Sequence, residues 1–119
     1  MRWLPLLLLA GCIHEQQVVR LREDAIPWKL GQPYEDRVDP ARNDARVLRF
    51  EELTAETVFT CKAQGGAVLL TVFANDRREL ASAPCNGAAA RIPGQQGPIF
   101  VLARVSGGPA DLSVTAEAH

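Results

Sequence analysis

What most limits the folds open to this chain is its punctuation. Pro27, Gly31, Pro33 and Pro40 crowd the start of the folded region, and Gly65-Gly66, Asn75-Asp76, Asn86-Gly87, Gly97-Pro98 and Gly107-Gly108-Pro109 interrupt the rest. Proline inside a helix removes a hydrogen bond and clashes with the turn before it, so no long segment at helical period fits between these breaks. The runs that do fit are short, rich in β-branched and aromatic residues, and alternate with a period of two.

Read in order, Tyr34–Val38 has room for a short strand, followed by a turn over residues 39–44. Residues 45–51 alternate Arg46, Leu48 and Phe50 with Val47, Arg49 and Glu51, and Leu48 and Phe50 are expected to face the core. Residues 52–56 allow one helical turn at most, and residues 57–63 form a strand carrying Cys61 beside Phe59. Gly65-Gly66 reads as a turn. After it, residues 67–74 are almost wholly apolar, with Val68, Leu70 and Val72 on one face and Leu69, Thr71 and Phe73 on the other. This is the candidate central strand. Asn75-Asp76 then folds the chain back along residues 77–81 as a hairpin. A loop holding Cys85, a short strand over 88–92, a loop over 93–98 and an apolar strand over 99–106 follow. Gly107-Gly108-Pro109 reads as a last turn before a half-buried strand over 111–118. Strands separated by turn signals at roughly 8–12 residues argue for an all-β fold, a small antiparallel β-sandwich of about seven or eight strands. Phe50, Phe59, Phe73 and Phe100 are expected in its core.

The chain opens with Arg2 and a short apolar run through Leu9, the n- and h-regions of an export signal. That run is far shorter than the roughly 20 residues needed to cross a bilayer. It ends in Leu9-Ala10-Gly11-Cys12. These four residues, at that distance from the start, resemble the lipobox of bacterial lipoproteins; an ordinary secretory signal containing Cys is the alternative. The resemblance implies that residues 1–11 are a signal peptide that is removed, and that Cys12 carries diacylglycerol on its thiol and a palmitate-type chain on its new amino group. Each buried methylene contributes about 0.8 kcal/mol, so the membrane is a partner through the acyl chains on Cys12. Ile13, and not an acid, follows Cys12, which in the sorting scheme of that family favours the outer membrane over the inner. With Cys12 lipidated, Cys61 and Cys85 are left as one pair in an exported chain, and a disulfide between them is expected.

Residues 12–25 read as the lipidated cysteine and a polar tether, although Val19 and Leu21 alternate with Arg20 and Arg22 as a short edge strand would. Residues 26–119 are enough for one small domain. The formal net charge is −1 and there is no basic run, so nucleic acid is not an expected partner.

Leu30-Gly31-Gln32-Pro33-Tyr34, Asp44, Phe50, the apolar strand, Gly97-Pro98-Ile99-Phe100-Val101 and Leu112-Ser113-Val114 follow one another in an order that resembles the bacterial pre-peptidase C-terminal domain. The resemblance covers most of residues 26–119 and implies a compact, jelly-roll-like sandwich acting as an accessory or binding module. The chain departs from that pattern in lacking a Tyr pair on the Gly-led strand.

The residues argue against catalysis. The only histidines are His14, beside Cys12, and His119, the last residue, so Ser82, Ser106, Ser113 and Cys61 have no base positioned by a fold. No Gly-x-Ser-x-Gly elbow is present. Glu23, Asp24, Asp36, Asp39, Asn43 and Asp44 could supply oxygen ligands for calcium, but Asp and Asn are also what turns select, and no EF-hand spacing exists. No metal and no cofactor is expected. Trp28 and Tyr34, the large amphipathic aromatics of the mature chain, are the candidate binding patch; the alternative is that they close one end of the sandwich. Arg77-Arg78 is a solvated hairpin tip or a contact for anionic headgroups or peptidoglycan acids. Together these features predict an envelope lipoprotein that binds an envelope protein or polysaccharide without catalysis. An escort for an outer-membrane partner is the alternative, and a small hydrolase a weaker one.

Overall fold

The structure, a computed structural model, describes residues 25–42 and 45–118. Seven strands are found there: β1 (Ile26–Pro27), β2 (Tyr34–Val38), β3 (Ala45–Phe50), β4 (Thr57–Phe73), β5 (Glu79–Pro84), β6 (Asn86–Ile92) and β7 (Ile99–Ala118). Cys12, the signal segment, most of the tether, the turn residues Asn43 and Asp44, and His119 lie outside the described residues.

The strands form one hydrogen-bonded sheet that doubles back on itself. β4 and β7, of 17 and 20 residues, run antiparallel along their whole length and belong to both layers. The first half of β4 and the last half of β7 pair with β6 and β2, giving a four-stranded layer in the order β2-β7-β4-β6. Their other halves pair with β5 and β3, giving a five-stranded layer in the order β1-β3-β7-β4-β5. The two layers enclose a core in which Phe50 of β3 meets Phe59 of β4 edge-to-face, ring centroids 5.5 Å apart. Val38, Leu70, Val72, Ile92 and Leu112 fill the space around them.

Three expectations need correction. Gly65-Gly66 and Gly107-Gly108-Pro109 are not turns: each lies inside a continuous strand, and the two segments sit side by side where β4 and β7 change layers. The register slips by two residues between Gly65 and Ala67, where Gly66 alone stands against Gly107, Gly108 and Pro109, an irregularity that bends the pair while its pairing continues on both sides. Gly65 and Gly107 have φ of +105° and +83° there, a backbone region that favours glycine. The sheet is also mixed, because β1 pairs parallel to β3, Ile26 opposite Leu48. Finally, Phe73 is half-buried and lies apart from the cluster that holds Phe50 and Phe59; Phe100, opposite it, is buried as expected but also lies outside that cluster.

The expected hairpin is present, β4 turning into β5 through Ala74, whose amide donates to the Arg78 carbonyl. Residues 52–56 form no helical turn; Leu53 is buried and bridges Gln95. The Cys61–Cys85 disulfide is formed, with Cα atoms 4.5 Å apart. It joins β4 to the single residue between β5 and β6, where the chain crosses from one layer to the other. The Cys85 amide donates to the Val68 carbonyl, and its carbonyl accepts from Ala63, so this crossing follows the bend of β4.

Candidate binding face

Strand alternation decides what the four-stranded layer shows to solvent. Phe59, Cys61, Leu112 and Val114 turn inward, so their neighbours Val58, Thr60, Lys62, Ser113, Thr115 and Glu117 turn outward. Register then sets them in rows. Glu35 lies opposite Ser113 and Ser113 opposite Lys62; Thr115 lies opposite Thr60; Glu117 lies opposite Val58, and Val58 opposite Arg91. The small hydroxyl residues in the middle leave the face hollow. A depression of about 450 Å³ is bounded by Glu35, Lys62, Gln64, Asp111 and Ser113. A second, of about 250 Å³, lies over Thr60, Thr115 and Glu117 and shares Lys62 and Ser113 with the first. The two form one shallow groove across β2, β7 and β4. Arg37 Nη1 holds Asp111 at 3.2 Å at its edge, an exposed pair of small energetic weight. Glu35 and Lys62 are exposed and make no ion pair among the described residues. Hydroxyls, the Lys62 ammonium and the carboxylates of Glu35 and Glu117 are suited to hydrogen-bonding an extended polar chain.

The opposite edge of β2 is sealed. Tyr34 Oη donates to Asp36 Oδ2 at 2.6 Å, Arg46 Nε donates to the same oxygen at 2.8 Å, and the Arg37 amide donates to Oδ1 at 2.7 Å. Burial opposes the charge on Asp36, but these hydrogen bonds and the Arg46 guanidinium outweigh it and hold the carboxyl below its usual range. Burial, followed by the bond to Asp36 and that carboxylate's charge, pushes the Tyr34 phenol well above its usual range, so it stays a donor. The network ties an edge strand of one layer to β3 of the other.

Trp28 and Tyr34 are brought together, rings perpendicular with centroids 5.0 Å apart. Tyr34 is only 7% exposed and Trp28 is half-buried against the core. The Trp28 indole donates to the Gln32 carbonyl, its amide donates to Arg49 of β3, and the Gly31 amide donates to Ala116 of β7. The segment between β1 and β2 thus bridges the layers and closes this end of the sandwich. The groove residues, by contrast, were not singled out by sequence reasoning. The signal for them was the alternation of Ser113, Thr115 and Glu117 with Leu112, Val114 and Ala116, which marks a solvated face without saying that it is hollow.

Of the acids weighed as calcium ligands, Asp36 is engaged as above and Asp39 accepts from the Ala41 amide. Among the described residues no group of three or more His, Cys, Asp or Glu is placed to hold a metal ion. Glu23, Asp24, Asn43 and Asp44 lie outside them.

No protein family and no curated protein matches this chain by sequence. Among solved structures it is similar to the pre-peptidase C-terminal domain of collagenase from Bacillus anthracis, with a TM-score of 0.67 at 11% identity over 78% of this chain and 94% of that one. At that identity the likeness is one of fold, and it agrees with the fold that the sequence pattern implied. PliG of Salmonella Typhimurium, a periplasmic inhibitor of g-type lysozyme, is more distant, with a TM-score of 0.49 at 9% identity over 76% of this chain and 97% of that one.

Proposed function

We propose that this chain is a non-catalytic binding module of the bacterial cell envelope, anchored through an acylated Cys12, and that the groove on its four-stranded layer is where an envelope protein or polymer lies. The observation that carries the reading is the continuity of the groove across Lys62 and Ser113, with hydrogen-bonding side chains along its floor. The disulfide supports placement in an oxidising compartment outside the cytoplasm, since such bonds are rare where thiols are kept reduced. The likeness in fold to an accessory domain of a larger enzyme is consistent with a binding role. Anchoring confines the groove beside its target, so weak contacts suffice.

The test is crosslinking in intact envelopes with the native chain, Cys12→Ser and Ser113→Arg, the last filling the groove from its centre. A crosslinked species seen with the native chain and lost with Ser113→Arg supports the reading, provided that the variant melts like the native chain. An unchanged crosslinking pattern removes the groove from the function. Loss with Cys12→Ser alone points instead to a role in which location matters and the groove does not.

A further inference from the structure

A sheet edge exposes main-chain donors and acceptors, and proteins blunt such edges to keep other chains off them. Among the described residues the sheet ends in β1, β2, β5 and β6, and three of these edges are blunted. β1 is two residues long and ends in Pro27. On β2 the Asp36 carboxylate sits at the edge, held by Arg46, and its Oδ1 takes the Arg37 amide. On β5 the bond from the Cys85 amide to the Val68 carbonyl sets the phase of the ladder, so Pro84, opposite Leu69, stands where the main chain turns away from β4. Proline has no donor to offer there. At its other end β5 is broken again by a register shift opposite Val72 and Phe73.

The edge of β6 is open. β6 is hydrogen-bonded to β4 alone. The Ala63 amide donates to the Cys85 carbonyl, so Ala63, Cys61, Phe59 and Thr57 are the residues of β4 whose main chains turn toward β6. Phe59 lies opposite Ala90 and Thr57 opposite Ile92. The main chains of Ala90 and Ile92 are therefore engaged with β4, and those of Ala89 and Arg91 turn to the free side. Both residues are exposed, and no strand of the described residues lies beyond them. The Arg91 side chain is held by Glu56 at 3.1 Å, which leaves its main chain open. The open run is short. Before it the pairing is irregular between Thr60 and Lys62, where Asn86 Oδ1 takes the Ala88 amide, and after it comes Pro93.

From this contrast we infer that the free edge of β6 takes up an extended segment of a partner protein as an added strand. The occupant is selected by hydrogen-bond complementarity: Ala89 and Arg91 each present an amide and a carbonyl that exchange both ladder bonds with one residue of an antiparallel strand. A polysaccharide has no alternating row of amides and carbonyls to offer. The assignment rests on the binding-module reading and deepens it, choosing protein over polymer. The edge is also continuous with the groove. Ala89 lies beside Thr60 and Arg91 beside Val58, in the rows that run on to Thr115 and Glu117. An added strand widens the four-stranded layer on that flank, and alternate side chains of the partner face the same way as the groove floor. A contact this short binds weakly, which a chain confined beside its target tolerates.

Amide hydrogen exchange of the full chain tests whether the edge is free. Ala89 and Arg91 should exchange near the unprotected rate while Ala90 and Ile92 are slowed by at least about 100-fold. Equal protection of all four overturns the inference, and this measurement stands whether or not any variant folds. The occupant is tested by crosslinking in intact envelopes with Ala89→Pro, which removes a donor that the fold does not use, and Ala89→Thr, which keeps it. The expected result is a crosslinked species that protease digests, lost with an Ala89→Pro chain that melts like the parent and kept with Ala89→Thr. A pattern unchanged in Ala89→Pro, or loss with both variants, overturns the inference. So does a species that resists protease, because a polymer is then the occupant, or one of twice the mass of the chain, because a second copy then owns the edge. Ser113→Arg in the same set separates the two readings: loss with Ser113→Arg alone keeps the groove and removes the edge, and no species with the native chain removes both.

Discussion

A side chain on Gly66 would collide with the carbonyl oxygen of Gly108 on the neighbouring strand. The two glycines mark the corner at which β4 and β7 pass together from one layer to the other, and their backbones approach more closely than a Cβ permits. Gly66→Ala therefore forces the strands apart, at a cost of about 1–3 kcal/mol. Gly108→Ala, whose new methyl meets nothing within 4 Å, should stay within about 0.5 kcal/mol of the parent. Thermal melts of the two variants check this; equal losses would mean that the corner is not closely packed.

The disulfide fixes the same corner from the β5–β6 side. Cys61 and Cys85 are separated by 24 positions, for which loop-closure entropy gives about 3–4 kcal/mol of stabilisation. Cys61→Ala/Cys85→Ala should lower the melting temperature by on the order of 15 °C while the β-sheet circular dichroism signal is retained well below the transition. A shift of only a few degrees would place the stability of the corner in the glycine packing instead.

Asp36 makes stability depend on pH at the acid end. Its carboxyl is held below its usual range in the folded chain, so the stability it contributes is present above the ordinary carboxylate value and is lost as pH falls through the lower, folded one. Asp36→Asn should remove much of that acid dependence and cost about 1–3 kcal/mol at neutral pH, through the weakened bond from Arg46. Denaturant titrations of the two proteins at neutral and acidic pH give the comparison. An unchanged acid slope would assign the effect to other carboxylates.

Tyr34 acts in the opposite sense. Its phenol is raised above its usual value, so its contribution is complete below pH 10 and declines as pH rises beyond that toward the folded value. Tyr34→Phe should cost about 1–2 kcal/mol and flatten the alkaline decline. If the ultraviolet titration of the native chain shows its single tyrosine ionising near pH 10, the network is open to solvent.

Trp28→Ala should destabilise by about 3–5 kcal/mol, as loss of a large ring packed on a core does, and should also free the segment that bridges β3 to β7. Hydrogen exchange at the Gly31 amide reports the second effect. A loss below about 1 kcal/mol would return Trp28 to the role of a surface aromatic available to a ligand.

The amino-acid sequence by itself determined the all-β class, the strands Tyr34–Val38 and Ala45–Phe50, the hairpin after Phe73 and the pairing of Cys61 with Cys85. These follow from period-two alternation, local turn chemistry and a count of thiols, all of which act over a few residues or need no geometry. Only the tertiary structure decided that the Gly65-Gly66 and Gly107-Gly108 segments bend and do not turn, because that depends on each lying beside the other across more than forty residues of chain. It likewise decided which face of residues 67–74 is core. Val68, Leu70 and Val72 are no more apolar than Leu69 and Phe73 taken together, and burial was assigned by the layer that β6 and β7 place opposite. The groove was hidden for the same reason: hydroxyl residues on β4 and β7 make a hollow only once register sets Thr60 beside Thr115 and Ser113 between Glu35 and Lys62. Local propensity acts along the chain, whereas a site is made by neighbours across it.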